Sequence, residues 1–297
     1  MIVSADIGGT FFRVGLVDGD GAVRRFRKIP TGSVLRGGSV LTELGTFFRD
    51  FIADQPVRAA AIAFPATLDA ERKRVVQAPS VPALEDIPVV DGLSEFLGVP
   101  VLAERDATFA LCRDMEKYGV PAAGITCGVY YGTGIGNAVF IDGRPLTGRS
   151  GAAGELGHIP VPGSTVPCGC GNVGCMEAVA GGKALVRLQR ERYPDTPIGE
   201  MFSRHARDAA MREFIDCMAI TAATEVNILD PDHLLLGGGV LNMPDFPREA
   251  FLERLLARVR GPLPRGALRP VFTGDEPDKS VVGGAIYARR RLRTPEG

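Results

Sequence analysis

Short apolar runs, several of them β-branched or aromatic, punctuate this chain and are separated by turn residues. Those at 2–5, 12–17, 23–29, 59–64, 101–104, 128–131, 138–141 and 233–236 predict strands. Between them Leu41, Leu44, Phe47, Phe48, Phe51 and Ile52 recur at helical spacing and predict an amphipathic helix. Further helices are predicted over 206–229, stopped by Asp230-Pro231-Asp232, over 249–259 and over 281–293, with a loop at 31–38. A strand, a glycine turn and a returning strand occur twice, around Asp6-Ile7-Gly8-Gly9-Thr10 and around Gly132-Thr133-Gly134-Ile135-Gly136. This weak internal symmetry predicts a duplicated α/β fold with two lobes around a cleft. The expected division is 1–106 and 107–284, with a terminal helix at 285–297 completing the first lobe.

The chain has 297 residues, 45% hydrophobic and 23% charged, with a net charge of −1. That length supports two cores. The charge balance offers no footprint for nucleic acid or an anionic membrane. No apolar run approaches the roughly 20 residues needed to span a bilayer. The first residues lack a basic stretch followed by an apolar one, so no secretory leader is expected. Cys112, Cys127 and Cys217 read as buried thiols, and a cytoplasmic, reducing location is expected.

The densest chemistry lies between positions 158 and 175, where His158, Cys168, Cys170 and Cys175 supply one imidazole and three thiolates. That set suits the tetrahedral preference of a structural zinc ion; unrelated residues or two disulfides are the alternatives. Glu155 and Glu177 flank it, so a metal pinning the loop would also fix two carboxylates. The glycine turns suit phosphate binding, with Gly8, Gly9, Gly132, Gly134 and Gly136 allowing close backbone approach and Thr10 and Thr133 adding hydroxyls. Neither turn fits a P-loop or a dinucleotide fingerprint, and each alone reads as a hairpin. Their matching places in two halves favour the phosphate reading. Asp6, ending a buried strand, could hold Mg²⁺ through water or cap its turn. Asp106, after the 101–104 strand, could be a general base or the N-cap of a helix starting at Ala107. Gly237-Gly238-Gly239 could admit a nucleotide's ribose or be a flexible turn, and Gly283-Gly284 reads as close helix packing.

Taken together, these motifs resemble the ROK (repressor, open reading frame, kinase) family of sugar kinases, within the actin/hexokinase superfamily. The resemblance implies a duplicated actin-like ATPase, ribonuclease H-like fold acting on ATP and a hexose. It implies that Asp106 takes the proton from the sugar's 6-hydroxyl, and that Glu155, His158 and Glu177 bind other hydroxyls. Asp6 and the glycine motifs, including Gly237-Gly238-Gly239, would then hold Mg²⁺-ATP, and the zinc would be structural. Within the family the chain is most similar to bacterial D-allose kinases, above all over 229–249. Glucokinases, fructokinases and N-acetylhexosamine kinases are the alternatives. Four positions depart from the general pattern: Arg105 replaces Asn, Ala66 replaces Gly, Ser80 replaces Asn, and Phe11 replaces Lys or Arg. Ser80 is not shared with the allose kinases. Arg105 could contact sugar and keep Asp106 ionised, or point to solvent. Only five residues precede Asp6, too few for the helix-turn-helix of the family's repressors, so a DNA-binding role is not expected. A homo-oligomer, with a dimer favoured, is expected from the resemblance.

Overall fold

The structure is a computed structural model that describes residues 1–293. Residues 294–297, the end of the expected terminal helix, lie outside the described residues. In chain order, the first strands and helices are β1 (Ile2–Ile7), β2 (Phe11–Val17), β3 (Val23–Pro30), α1 (Val40–Ile52), β4 (Ala59–Phe64), β5 (Thr67–Leu68), β6 (Val75–Gln77), α2 (Val89–Leu97), β7 (Val101–Arg105) and α3 (Asp106–Lys117). There follow β8 (Ile125–Tyr131), β9 (Ile135–Ile141), β10 (Arg144–Pro145), α4 (Glu177–Ala180), α5 (Gly182–Arg192), α6 (Met201–His205), α7 (Ala209–Leu229), β11 (His233–Gly237), α8 (Arg248–Arg258), β12 (Val271–Phe272) and α9 (Lys279–Arg293). Two compact units result. One holds Met1–Val120, Thr147–Ala153 and the chain from Glu276; the other holds Pro121–Leu146 and Gly154–Asp275.

The first unit is built on a sheet of order β3-β2-β1-β4-β7. β1 pairs antiparallel with β2 and parallel with β4, which pairs parallel with β7. β1 and β4 are buried along their whole length, which is why they read as continuous apolar runs. α1 presents Val40, Leu44, Phe48 and Phe51 to this core at the spacing of one helical face. The register aligns Asp6 with Ala63 and Ala63 with Glu104, so β1 and β7 end near one another on either side of β4. α3 and α9 pack together; a side chain at Gly283 would strike Phe109 O, so the glycine pair serves helix packing as expected.

The second unit repeats the arrangement with the order β10-β9-β8-β11-β12. Here β8 pairs antiparallel with β9 and parallel with β11, and β11 pairs parallel with β12. The matching strand orders bear out the expected duplicated α/β fold. Several boundaries differ from expectation. β9 begins at Ile135, so the second glycine turn comprises only 132–134. The helix expected over 206–229 begins at Ala209, with α6 a separate short helix before it. α5 and the β5–β6 hairpin carry too few periodic apolar positions to stand out, while α2 is periodic but follows Pro88 and contains Gly92.

Candidate active site

Asp6 is the last but one residue of β1 and is 8% exposed. Burial and the negative charge of Asp106 push its carboxyl up from 3.8 to about 6, against the pull of Arg13. Arg13 is its cross-strand partner on β2 and donates to Asp6 Oδ2 at 3.2 Å. The Gly8 N–H goes to Phe11 O at 2.9 Å rather than to Asp6, which argues against a simple turn cap. Thr31 secures the same turn through its hydroxyl, donated to Gly8 O at 2.6 Å, and its N–H, donated to Thr10 O at 3.0 Å. Gly9 and Thr10 are exposed, and a side chain at Gly9 would come within 3.2 Å of Ser80. The turn therefore leaves the Gly9 backbone and Thr10 open at its outer surface.

Asp106 is the first residue of α3, with Arg105 in the N-cap position. Its Oδ1 accepts the Ala107 N–H at 2.7 Å, so the carboxylate satisfies one helix-terminal donor. Arg105 is 8% exposed and donates through Nη2 to Ala153 O at 2.7 Å. The alternative in which it points to solvent is thereby overturned.

In the second unit, His158 Nδ1 lies 3.6 Å from Cys168 Sγ, and Cys170 Sγ lies 3.7 Å from Cys175 Sγ. All four ligand atoms fall within 4.8 Å of one another. A disulfide needs about 2.05 Å between sulfurs, so that alternative fails. Zinc–sulfur bonds of about 2.3 Å in a tetrahedron put sulfurs about 3.8 Å apart, which the observed spacing fits. The loop is shaped by Cys168 N–H to Asn172 O at 2.9 Å and Gly174 N–H to Val166 O at 2.8 Å, with Gly171 and Gly174 at positive φ. Burial, then hydrogen bonding with Cys170 and Cys168, pushes the Cys175 thiol up to about 12. Burial also opposes ionisation of Cys170, but hydrogen bonds from Asn172 and the neighbouring thiols outweigh it and lower that thiol. A cluster that already shares protons unequally is one that a divalent cation would fully ionise.

His158 Nε2 lies 3.7 Å from Glu155 Oε2, on the ring edge opposite the nitrogen facing the sulfurs. Glu177 opens α4 and accepts the Ile135 N–H at 2.9 Å. A side chain at Gly134 would collide with the Glu177 carboxylate where it now lies, so the glycine lets that carboxylate approach the turn closely. The second glycine turn is also stitched to the start of α5: Gly182 N–H donates to Gly132 O and Lys183 N–H to Thr133 O, both at 2.9 Å. Thus the cysteine loop, Glu177 and the second turn form one hydrogen-bonded assembly. Gly237 ends β11, and at Gly238, with φ of +93°, a side chain would meet Tyr131 O at 2.5 Å. Gly239 has no such neighbour, its nearest being Asp275 at 3.7 Å. The triple glycine is followed by a loop that reaches α8 only at Arg248.

The sequence profile of the ROK family matches residues 2–291. The chain belongs to the ROK family. It is similar to the glucokinase of Thermotoga maritima, 29% identical over 98% of each chain. It is similar to the N-acetyl-D-glucosamine kinase of Citrobacter koseri, 30% identical over 82% of this chain and 85% of that relative. Among solved structures it is similar to a ROK family glucokinase from Streptomyces griseus in complex with glucose and AMPPNP. That match has a TM-score of 0.81 at 25% identity, and covers 97% of this chain and 99% of the other. Among the described residues, no helix of this ROK protein is long and apolar enough to cross a membrane.

Sequence reasoning missed Arg13, Arg72 and Glu104. Arg13 was within reach, since a seven-residue offset across a tight hairpin places it opposite Asp6. Glu104 sits inside an apolar strand with no exposure, the place where a carboxylate demands partners. Nothing local marks Arg72.

Proposed function

We propose that this ROK-family chain transfers the γ-phosphoryl group of ATP to the 6-hydroxyl of a glucose-type aldohexose. It is an ATP-dependent sugar kinase. The observation that carries the reading is the pair Asp6 and Asp106, the charge of the second raising the proton affinity of the first, one at the end of β1 and the other directly after β7. One suits a metal–nucleotide and the other an alcohol. Asp106 would take the 6-hydroxyl proton as O6 forms its bond to the γ-phosphorus and the bond to the β–γ bridging oxygen breaks, releasing ADP. Such a transfer asks the protein mainly for positioning and charge stabilisation. Mg²⁺, held through water by Asp6, would neutralise charge on the phosphates. The glycine turns would present backbone N–H groups to them. Glu155, His158 and Glu177 would hydrogen-bond the remaining sugar hydroxyls. Zinc on His158, Cys168, Cys170 and Cys175 would be structural, a closed set that shapes the loop rather than activating water.

The glucokinase and N-acetylglucosamine kinase similarities, and the glucose-bound relative, weigh for a glucose-type substrate over D-allose, the sugar expected from residues 229–249. A hexose panel with coupled detection of ADP tests this. Glucose or N-acetylglucosamine should have the highest kcat/KM, and a clear preference for allose would restore the narrower expectation. Asp106→Asn should retain sugar binding and lose about 10²- to 10⁴-fold in kcat. Near-normal turnover would overturn the assignment of the base.

A further inference from the structure

The first unit ends its second segment, Thr147–Ala153, in the grip of two guanidinium groups. Arg72 donates through Nη1 to Gly151 O and Arg105 through Nη2 to Ala153 O, each at 2.7 Å. Ala153 N–H returns to Thr147 O at 3.0 Å and closes the segment on itself. A side chain at Gly151 would strike Leu68 O, so the segment lies directly against the β5–β6 hairpin. Arg72 occupies the tip of that hairpin with φ of +58°, a conformation that side-chain-bearing residues rarely adopt. The Asp69 carboxylate holds the tip by accepting the Lys73 and Arg74 N–H groups at 2.7 and 3.2 Å. Strain of this kind persists where the surroundings over-determine it.

What over-determines it is Glu104. This carboxylate has no solvent exposure and accepts from Arg72 Nε at 3.2 Å, Tyr287 Oη at 3.3 Å, Thr108 Oγ1 at 3.3 Å and the Arg105 N–H at 3.2 Å. The fork of Arg72 is therefore split, one donor on the buried anion and one on the Gly151 carbonyl. We propose that Arg72, Glu104 and Arg105 form a latch that fixes the point from which the chain departs toward Glu155 and His158. Arg72 and Arg105 are then positioning residues for sugar binding, acting through the carbonyls of Gly151 and Ala153. This rests on the reading of Glu155 and His158 as sugar-binding groups. Ala153 is two residues from Glu155, and misplacing a reacting or binding group by about 1 Å can cost about 100-fold. Arg105 also occupies the N-cap position directly before Asp106, so its side chain ties the start of the base's helix to the departing segment.

The test pairs Arg72→Met with Glu104→Gln, which removes both charges of the buried pair and leaves neither uncompensated. In the folded double variant, amide hydrogen exchange over 147–154 should quicken about tenfold or more while β1 and β4 keep their protection. Sugar KM should rise about tenfold or more with kcat and the KM for ATP within about twofold. Arg105→Lys, which keeps one donor, should fall between the parent and Arg105→Gln, and the glucose-to-allose ratio of kcat/KM should not move in any of them. Unchanged exchange and unchanged sugar KM in a folded double variant would overturn the latch, as would a shifted sugar ratio in Arg105→Gln without faster exchange. A parent enzyme that phosphorylates no hexose would sink the kinase reading instead, and the exchange comparison would still decide the latch.

Discussion

Under the proposed function, Asp6 would tie stability to activity in a way that one substitution separates. Its carboxyl is displaced from 3.8 to about 6, chiefly by burial and then by repulsion from Asp106, with Arg13 only partly offsetting both. At about 1.36 kcal/mol per unit, that displacement is worth roughly 3 kcal/mol. The native state binds this proton more tightly than the unfolded chain does. The corresponding stability is fully present below about pH 4 and is lost as pH rises through about 6. Above pH 7 the ionised carboxylate therefore burdens the metal-free fold. Asp6→Asn removes the charge and should be more stable than the parent at pH 8 by up to roughly 3 kcal/mol, with the difference vanishing near pH 4.

Urea unfolding of both proteins, with divalent metal chelated, across pH 4 to 8 gives the comparison directly. The same variant should lose turnover, and Mg²⁺ with a nucleotide should stabilise the parent by mass action far more than the variant. Sites that trade stability for activity are common where a charge awaits a ligand. Parallel stability–pH curves for the two proteins would refute the reasoning, because they would mean that Asp6 meets the same electrostatic surroundings folded and unfolded.

Elemental analysis should find one zinc per chain, and Cys168→Ser should lose it together with sugar affinity, since the loop that holds Glu155 and Glu177 loosens; a metal-free parent with full activity would contradict this. Lys279→Met withdraws the ammonium 2.9 Å from Asp114, a carboxylate with no exposure. It should lower unfolding stability by about 3–5 kcal/mol, and Asp114→Leu in the same chain should recover most of the loss by calorimetry.

How much of this molecule could be read from its sequence depends on distance along the chain. The buried strands β1, β4, β8 and β11 were visible because they are short apolar runs bounded by glycine and proline. The duplication was visible because each glycine turn joins two such runs. The cysteine cluster was visible because its ligands are near neighbours in sequence, and Asp6 and Asp106 because each stands at or just beyond the carboxyl end of an apolar run. α2 was not, since its nine residues follow a proline and include a glycine. The latch was invisible for a different reason. Arg72 meets Gly151 across 79 positions, and no periodicity registers a contact of that span. Arg105 shows the limit most clearly. Its presence in place of the family's usual Asn marks it as unusual, but an arginine side chain is long enough to reach substrate, solvent or its own backbone. Composition weighs these equally. What separates them is that its guanidinium lies buried against the Ala153 carbonyl, on the same segment that Arg72 holds. If that is its work, changes in sugar choice within this family should track residues beyond Ala153, at Glu155 and Glu177, while residue 105 tracks affinity for every sugar alike.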